Sequence, residues 1–190
     1  EKTPVSVKVS QEFPAARSLK FELSTYYNMK VEFTKTDSKK VIVSLVGQGS
    51  DYKNDGKRLA DWFKVSSAGK TLKLESFEKE QYKDVTSMKD LAKLLKGTGS
   101  ESDLTMIVEF PENHNFKQVK IENVISDVFA TEVQFEKFKV TTVSGDVRLK
   151  ESKGSDLKIE SVSGSNHIEV SDMKKAEFSS VSGDTTLISK

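Results

Sequence analysis

The chain has 190 residues, of which 30 are basic and 29 acidic, for a net charge of +1; hydrophobic residues make up 35% and charged residues 31%. The two signs are well mixed, so the basic stripe that nucleic acid binding requires is absent, and no run of 18 apolar residues offers a membrane span. With no cysteine, disulfides and thiolate metal sites are excluded, and the high charge content suits a thin fold with much outward surface. The first residue is Glu1 rather than Met, which fits a removed signal peptide or a trimmed chain.

In chain order, apolar residues alternate with polar ones over Val5–Val9, Leu19/Phe21/Leu23, Val31/Phe33, Val41/Val43/Leu45 and Leu72/Leu74, each group bounded by polar turn residues. Period-two alternation puts one set of side chains on one face of a strand. These strands are expected to be irregular coils of the architecture that follows. Two segments depart from the pattern. Leu59, Trp62 and Phe63 within Gly56–Val65, and Met88, Leu91, Leu94 and Leu95 within Ser87–Lys96, recur at helical spacing, with Gly97 as a stop. Both are predicted short helices, one of them placed to cover an open solenoid edge or to lie on a side sheet. Alternation resumes at Leu104/Met106/Val108/Phe110 and stops at Pro111.

The C-terminal part is a repeat of period 19: Val119–Lys137, Phe138–Asp156, Leu157–Lys175 and Ala176–Lys190 align without gaps. The first and third positions of each copy are apolar (Val119/Ile121, Phe138/Val140, Leu157/Ile159, Ala176/Phe178), and a Ser-Gly corner follows at Ser144-Gly145, Ser163-Gly164 and Ser182-Gly183. Nineteen residues are too few for a strand, crossover helix and strand, which need about 30. They suffice for one coil in which each strand pairs with its equivalent one turn on, about 4.8 Å away. The predicted fold is mainly β: a right-handed parallel β-helix, or β-solenoid, with 19-residue coils over 119–190 and irregular coils with one or two short helices over 1–118, in a single elongated domain. The first copy has Ile125-Ser126 where the others have Ser-Gly, so a looser corner is expected there. The fourth copy stops at Lys190, four residues short of a coil, which predicts an open edge able to pair with a second copy or with further chain.

The repeated Val-Ser-Gly-Asp flanked by strands, preceded by an alternating strand ending in Phe110-Pro111, resembles the bacterial putative-adhesin family of β-solenoid domains of unknown function. The match is clearest over Leu104–Lys190, and Leu19–Leu45 with Leu72–Leu74 looks like that family's divergent N-terminal coils. The resemblance implies an exported protein, periplasmic or at the cell surface, often lipid-anchored in its precursor. It supplies no catalytic residues, no cofactor and no metal.

The corner residues Ser144, Gly145, Asp146, Ser163, Gly164, Ser182, Gly183 and Asp184 are assigned a structural role, with glycine admitting the positive φ the corner demands. The column Asp127, Asp146, Asp184 could hold a cation, since Ca²⁺ takes six to eight oxygens, or could accept hydrogen bonds from turn amides; Ser165 interrupts it. His114 and His167 lack a second histidine at ligand spacing, and no G-x-S-x-G elbow accompanies the serines. Among Tyr26, Tyr27, Tyr52, Trp62 and Tyr82, the pair Tyr26-Tyr27 is the candidate ligand contact, because aromatic rings on a flat β face can stack on sugars or anchor a protein partner; Trp62 fits the core better. The functional expectation is a non-enzymatic exported interaction module, a putative adhesin for a protein or glycan partner, with no nucleic acid. The alternatives are a β-helix polysaccharide-active enzyme, for which the scattered Arg17, Arg58 and Arg148 are unpromising, and a structural spacer.

Overall fold

A computed structural model describes residues 5–49, 56–77, 87, 90 and 103–190. The helix expected over Ser87–Lys96, and Tyr52 and Tyr82, lie outside the described residues apart from Ser87 and Asp90. The elements are β1 (Val5–Pro14), β2 (Leu19–Thr25), β3 (Met29–Thr36), β4 (Lys40–Gly49), α1 (Leu59–Trp62), β5 (Phe63–Ala68), β6 (Thr71–Ser76), β7 (Asp103–Pro111), β8 (Asn115–Thr131), β9 (Gln134–Ser144), β10 (Val147–Ser163), β11 (Asn166–Ser171), β12 (Lys175–Ser182) and β13 (Thr185–Ser189). The protein is mainly β and solenoid-like.

Over the repeat, strands pair in parallel at an offset of 19 residues. Ile121 of β8 lies against Val140 of β9, Val140 against Ile159 of β10, and Ile159 against Phe178 of β12. Upstream, the same row continues through Leu23 of β2 to Leu74 of β6. A second row starts at Val108 of β7 and runs through Phe33, Ala130, Leu149 and Ile168 to Leu187. Alternation sends every second residue of both rows inward, so the interior is a stack of apolar columns. Phe21 meets Phe33 edge to face at 5.5 Å, and Phe33 also meets Phe138 at 6.0 Å, joining the two rows across the core.

β2, β3, β6 and β7 thus extend the parallel rows, whereas β1, β4 and β5 do not. β1 pairs β4 antiparallel, β4 pairs β7 antiparallel, and β5 pairs β6 antiparallel. Val5–Val9 and Val41–Leu45 are therefore not degenerate coils, and the reason is connection length. Only Asp37–Lys39 link β3 to β4, with the Ser38 amide donating to Thr36 Oγ1 and the Lys40 amide to Ser38 Oγ. Three residues can reverse a chain but cannot carry it round a coil. Gly69-Lys70 likewise closes a two-residue hairpin between β5 and β6, with Gly69 at φ +60°.

The helical signal in Gly56–Val65 resolves to a single turn, after which the chain is extended as β5. Asp61 is fully buried and fixes that turn, accepting from the Arg58 amide at 2.9 Å and from its guanidinium at 3.0 Å. The turn delivers Leu59 and Trp62 into the core, where the indole donates to the Gly56 carbonyl at 3.0 Å. The looser corner expected at Ile125-Ser126 is absent: β8 runs unbroken through it, and Ser126, buried, donates to the Met29 carbonyl while accepting from Asn123 at 2.8 Å.

Candidate functional site

Gly145, Gly164 and Gly183 adopt φ of +143°, +128° and +122°. At this corner main chain pairs with main chain one rung on: the amides of Val128, Val147 and Asn166 donate to the carbonyls of Asp146, Ser165 and Asp184 at 2.8, 3.0 and 2.8 Å. The aspartates follow the same ladder. Asp127 Oδ1 accepts from the Asp146 amide, and Asp146 Oδ1 from the Ser165 amide, each at 2.8 Å. Ser163 Oγ donates to Ser144 Oγ at 3.5 Å, and Ser182 Oγ donates to the Val162 carbonyl at 3.5 Å. Among the described residues no group of three His, Cys, Asp or Glu side chains has the geometry of a metal site.

Tyr27 departs from the ligand role foreseen for it. It is only 2% exposed, its hydroxyl donates to the Trp62 carbonyl at 2.7 Å, and its ring packs edge to face on Phe63 at 5.4 Å. The alternation of β2 continues through Thr25 to Tyr27 and Met29, so Tyr27 faces the core and Tyr26 does not. Tyr26 is half-buried, and its amide donates to Ser76 Oγ. His167 is exposed on an outer row. His114 sits half-buried with its ring 4.5 Å from that of Phe116, and burial holds its imidazole below the usual value.

Two outward features escaped the sequence reading. Asn113, Glu132 and Glu151, spaced by 19, all adopt positive φ (62°, 55°, 50°) at a second corner. There Lys35 pairs with Glu132 and lies 3.9 Å from Glu112, and its ammonium is held above the usual lysine range chiefly by the Glu132 hydrogen bond. Asn113 is of a type that readily takes this conformation, whereas nothing in Glu132 or Glu151 marks the corner. The second feature is Phe129, a half-buried aromatic on an outward row. Its signal was available: the equivalent repeat positions hold Arg148, His167 and Thr186, so an aromatic there points away from the core.

The sequence matches a known family profile over residues 20–189. The chain belongs to the Toastrack DUF4097 family. Its resemblance to the putative-adhesin β-solenoid domains thus holds for most of its length. None of the curated proteins matches it. Among solved structures, a putative cell adhesion protein from Clostridium sporogenes aligns over 98% of this chain and 100% of its own, at 9% identity and a TM-score of 0.64, which shows a shared fold. A putative adhesin from Bacteroides fragilis aligns over 99% and 98% at 12% identity, with a TM-score of 0.39. A putative lipid binding protein from Parabacteroides distasonis aligns over 96% of each chain at 9% identity, with a TM-score of 0.27. Among the described residues of this Toastrack chain, no helix is long and apolar enough to cross a membrane.

Proposed function

We propose that this Toastrack chain is a non-enzymatic interaction module of an exported protein, acting in the periplasm or at the cell surface and binding a protein or glycan partner. The observation that carries the reading is the use of each rung's two faces. Inward positions are spent on the core, while outward positions form straight rows of side chains such as Lys120, Lys139 and Lys158, in register from rung to rung. A partner can read such rows over several rungs, which is how stacked-repeat scaffolds serve recognition. The carboxylates that an enzyme reading would recruit, Asp127 and Asp146, are each occupied by a turn amide. The description of the Clostridium sporogenes protein of like fold as a putative cell adhesion protein supports the same direction.

In this reading the coils wind right-handed as a single elongated β-solenoid domain over 1–190, the corner Ser, Gly and Asp residues are structural, and no cofactor or nucleic acid takes part. The last rung is a surface for self-association. Beads coated with the protein are expected to adhere to cells or to an extracellular glycan array, and fractionation of cells producing the full-length precursor is expected to recover it from the envelope. Failure of coated beads to adhere to any cell, matrix or glycan surface would return the protein to the spacer reading.

A further inference from the structure

One outward row passes through Glu32 of β3, Phe129 of β8, Arg148 of β10 and His167 of β11, each opposite the next. Phe129 is flanked by a cation from each neighbouring rung. Lys30 Nζ lies 5.4 Å from the ring centroid, and the Arg148 guanidinium carbon 5.3 Å. Because β3 and β10 border β8 on opposite sides, the ring stands between the two charges. Among the described residues neither cation has an ion pair. On the other sheet face three lysines are matched, Lys120 with Glu122 at 3.3 Å, Lys158 with Glu160 at 3.0 Å and Lys175 with Glu177 at 3.1 Å, although Lys139 of that row has no ion pair among the described residues. Of the nearby acids, Asp127 and Asp146 accept from turn amides and Glu169 lies 3.5 Å from Lys190, while Glu32, opposite Phe129, makes no ion pair among the described residues. A shallow depression beside the ring is lined by Phe129, Arg148, Lys150 and His167, with Glu169 at its margin.

An aromatic ring holds a cation only weakly at an exposed site, but it restricts where the cation can go. A guanidinium fixed this way presents its fork of donors for a carboxylate at reduced entropic cost. β8 is paired on both sides here, so no main-chain donor or acceptor is free for an added peptide strand, and recognition falls to side chains alone. We propose that Lys30, Phe129 and Arg148 form a binding site for a carboxylate-bearing sugar unit of an acidic glycan. The carboxylate sits on the Arg148 fork, Lys30 on the far side of Phe129 attracts the carboxylate of a neighbouring unit, and the apolar side of the sugar ring lies against the edge of Phe129. This inference rests on the interaction-module reading and gives that module a ligand class.

The test is calorimetric titration of the whole chain with an oligogalacturonate, with its methyl ester, and with an oligoglutamate peptide, at low and at physiological salt. The expected result is binding of the oligogalacturonate that weakens with salt and is lost in the methyl ester. Arg148→Ala and Phe129→Ala should each weaken it about tenfold or more, the scale of one charge-assisted contact, and Arg148→Lys should fall between. Lys64→Gln, on the exposed β5 strand, should leave it unchanged. Equal binding of the ester, no saccharide binding at low salt, or unchanged affinity in the Arg148 and Phe129 variants overturns the site. Preference for oligoglutamate with the same residue dependence overturns the saccharide assignment. Bead adhesion that survives Arg148→Ala with Phe129→Ala removes this site while leaving the interaction module standing, so the two failures are distinct. All these side chains are at least partly exposed, and thermal melts of the variants verify that the fold is intact.

Discussion

Gly164 stands directly over the Gly145 carbonyl, so a Cβ added to it would lie 2.0 Å from that oxygen, in a backbone conformation of φ +128° that L side chains rarely adopt. The corner therefore admits glycine for two reasons, conformation and close approach of the neighbouring rung. Gly164→Val is expected to destabilise by at least about 1–3 kcal/mol, the cost of a forced backbone region alone. Gly69→Ala separates the two causes, because Gly69 has φ +60° and a methyl group added there would meet nothing within 4 Å. Thermal melts should show the smaller loss at Gly69; equal losses would mean that the contact with Gly145 is soft.

Ile159 is fully buried between Val140 and Phe178 of the adjacent rungs. Ile159→Ala is expected to cost about 2–5 kcal/mol by chemical denaturation, since rigid rungs above and below limit collapse into the cavity. Phe178→Ala should cost less than a fully buried phenylalanine would, because Phe178 is only half-buried on the last rung.

The pairing of Ile121, Val140, Ile159 and Phe178 was legible because a parallel stack repeats one environment, and the sequence repeats with it. The corner glycines were legible for the same reason. The antiparallel pairing of β1 with β4 was not, since alternation looks alike in both strand directions and only the three-residue Asp37–Lys39 link betrays the reversal. Tyr27 was misplaced although the signal was there: the alternation of Leu19, Phe21 and Leu23 carries on through Thr25 and Tyr27 to Met29 and turns the Tyr27 ring inward. Phe129 could have been found by comparing copies, but outward positions vary freely and an odd residue there draws no attention. The one-turn α1 needed tertiary support: Leu59 and Trp62 are periodic, yet four residues cannot form a stable helix without Asp61 fixing the turn.

Asp146 accepts one amide hydrogen bond from the next rung at a half-exposed corner. Asp146→Ala is expected to cost about 0.5–1.5 kcal/mol, the net worth of one such bond. Asp146→Asn, which keeps an acceptor oxygen, should lose less. Calcium should leave the melting temperature of the unaltered protein where it was; an upward shift that disappears in Asp146→Asn would instead assign the aspartate column to a cation.

His114 has a buried Nε2 with no hydrogen-bond partner among the described residues, and burial lowers its imidazole below the usual 6.5. The folded state thus takes up a proton less readily than the unfolded chain. Stability from this group is complete above 6.5, declines as pH falls from 6.5 through the lowered folded value, and is flat below it. Urea melts at about pH 7.5 and about pH 5 should show a smaller acid-side loss in His114→Gln than in the unaltered protein. An identical loss in both would place the acid sensitivity in the carboxylates.

The last rung differs from those above it in what it leaves uncovered. Among the described residues β12 pairs only with β10, and β13 only with β11, so one side of each has no described strand beside it. The large hydrophobic residues exposed among the described ones are all here: Val181 at 83%, Leu187 at 43% and Ile188 at 41%. An unpaired edge that also carries apolar side chains is a template for another strand. A second copy meeting this edge can satisfy both needs at once, through an isologous contact in which the same strands face each other. Light scattering across a concentration series is expected to show a mass that rises toward a dimer. Val181→Lys and Leu187→Lys should each shift the series back toward monomer with little change in the melting temperature of dilute protein, because neither side chain is buried in the isolated chain. A strict monomer at the highest concentration, with both variants indistinguishable from it, would sink the self-pairing edge.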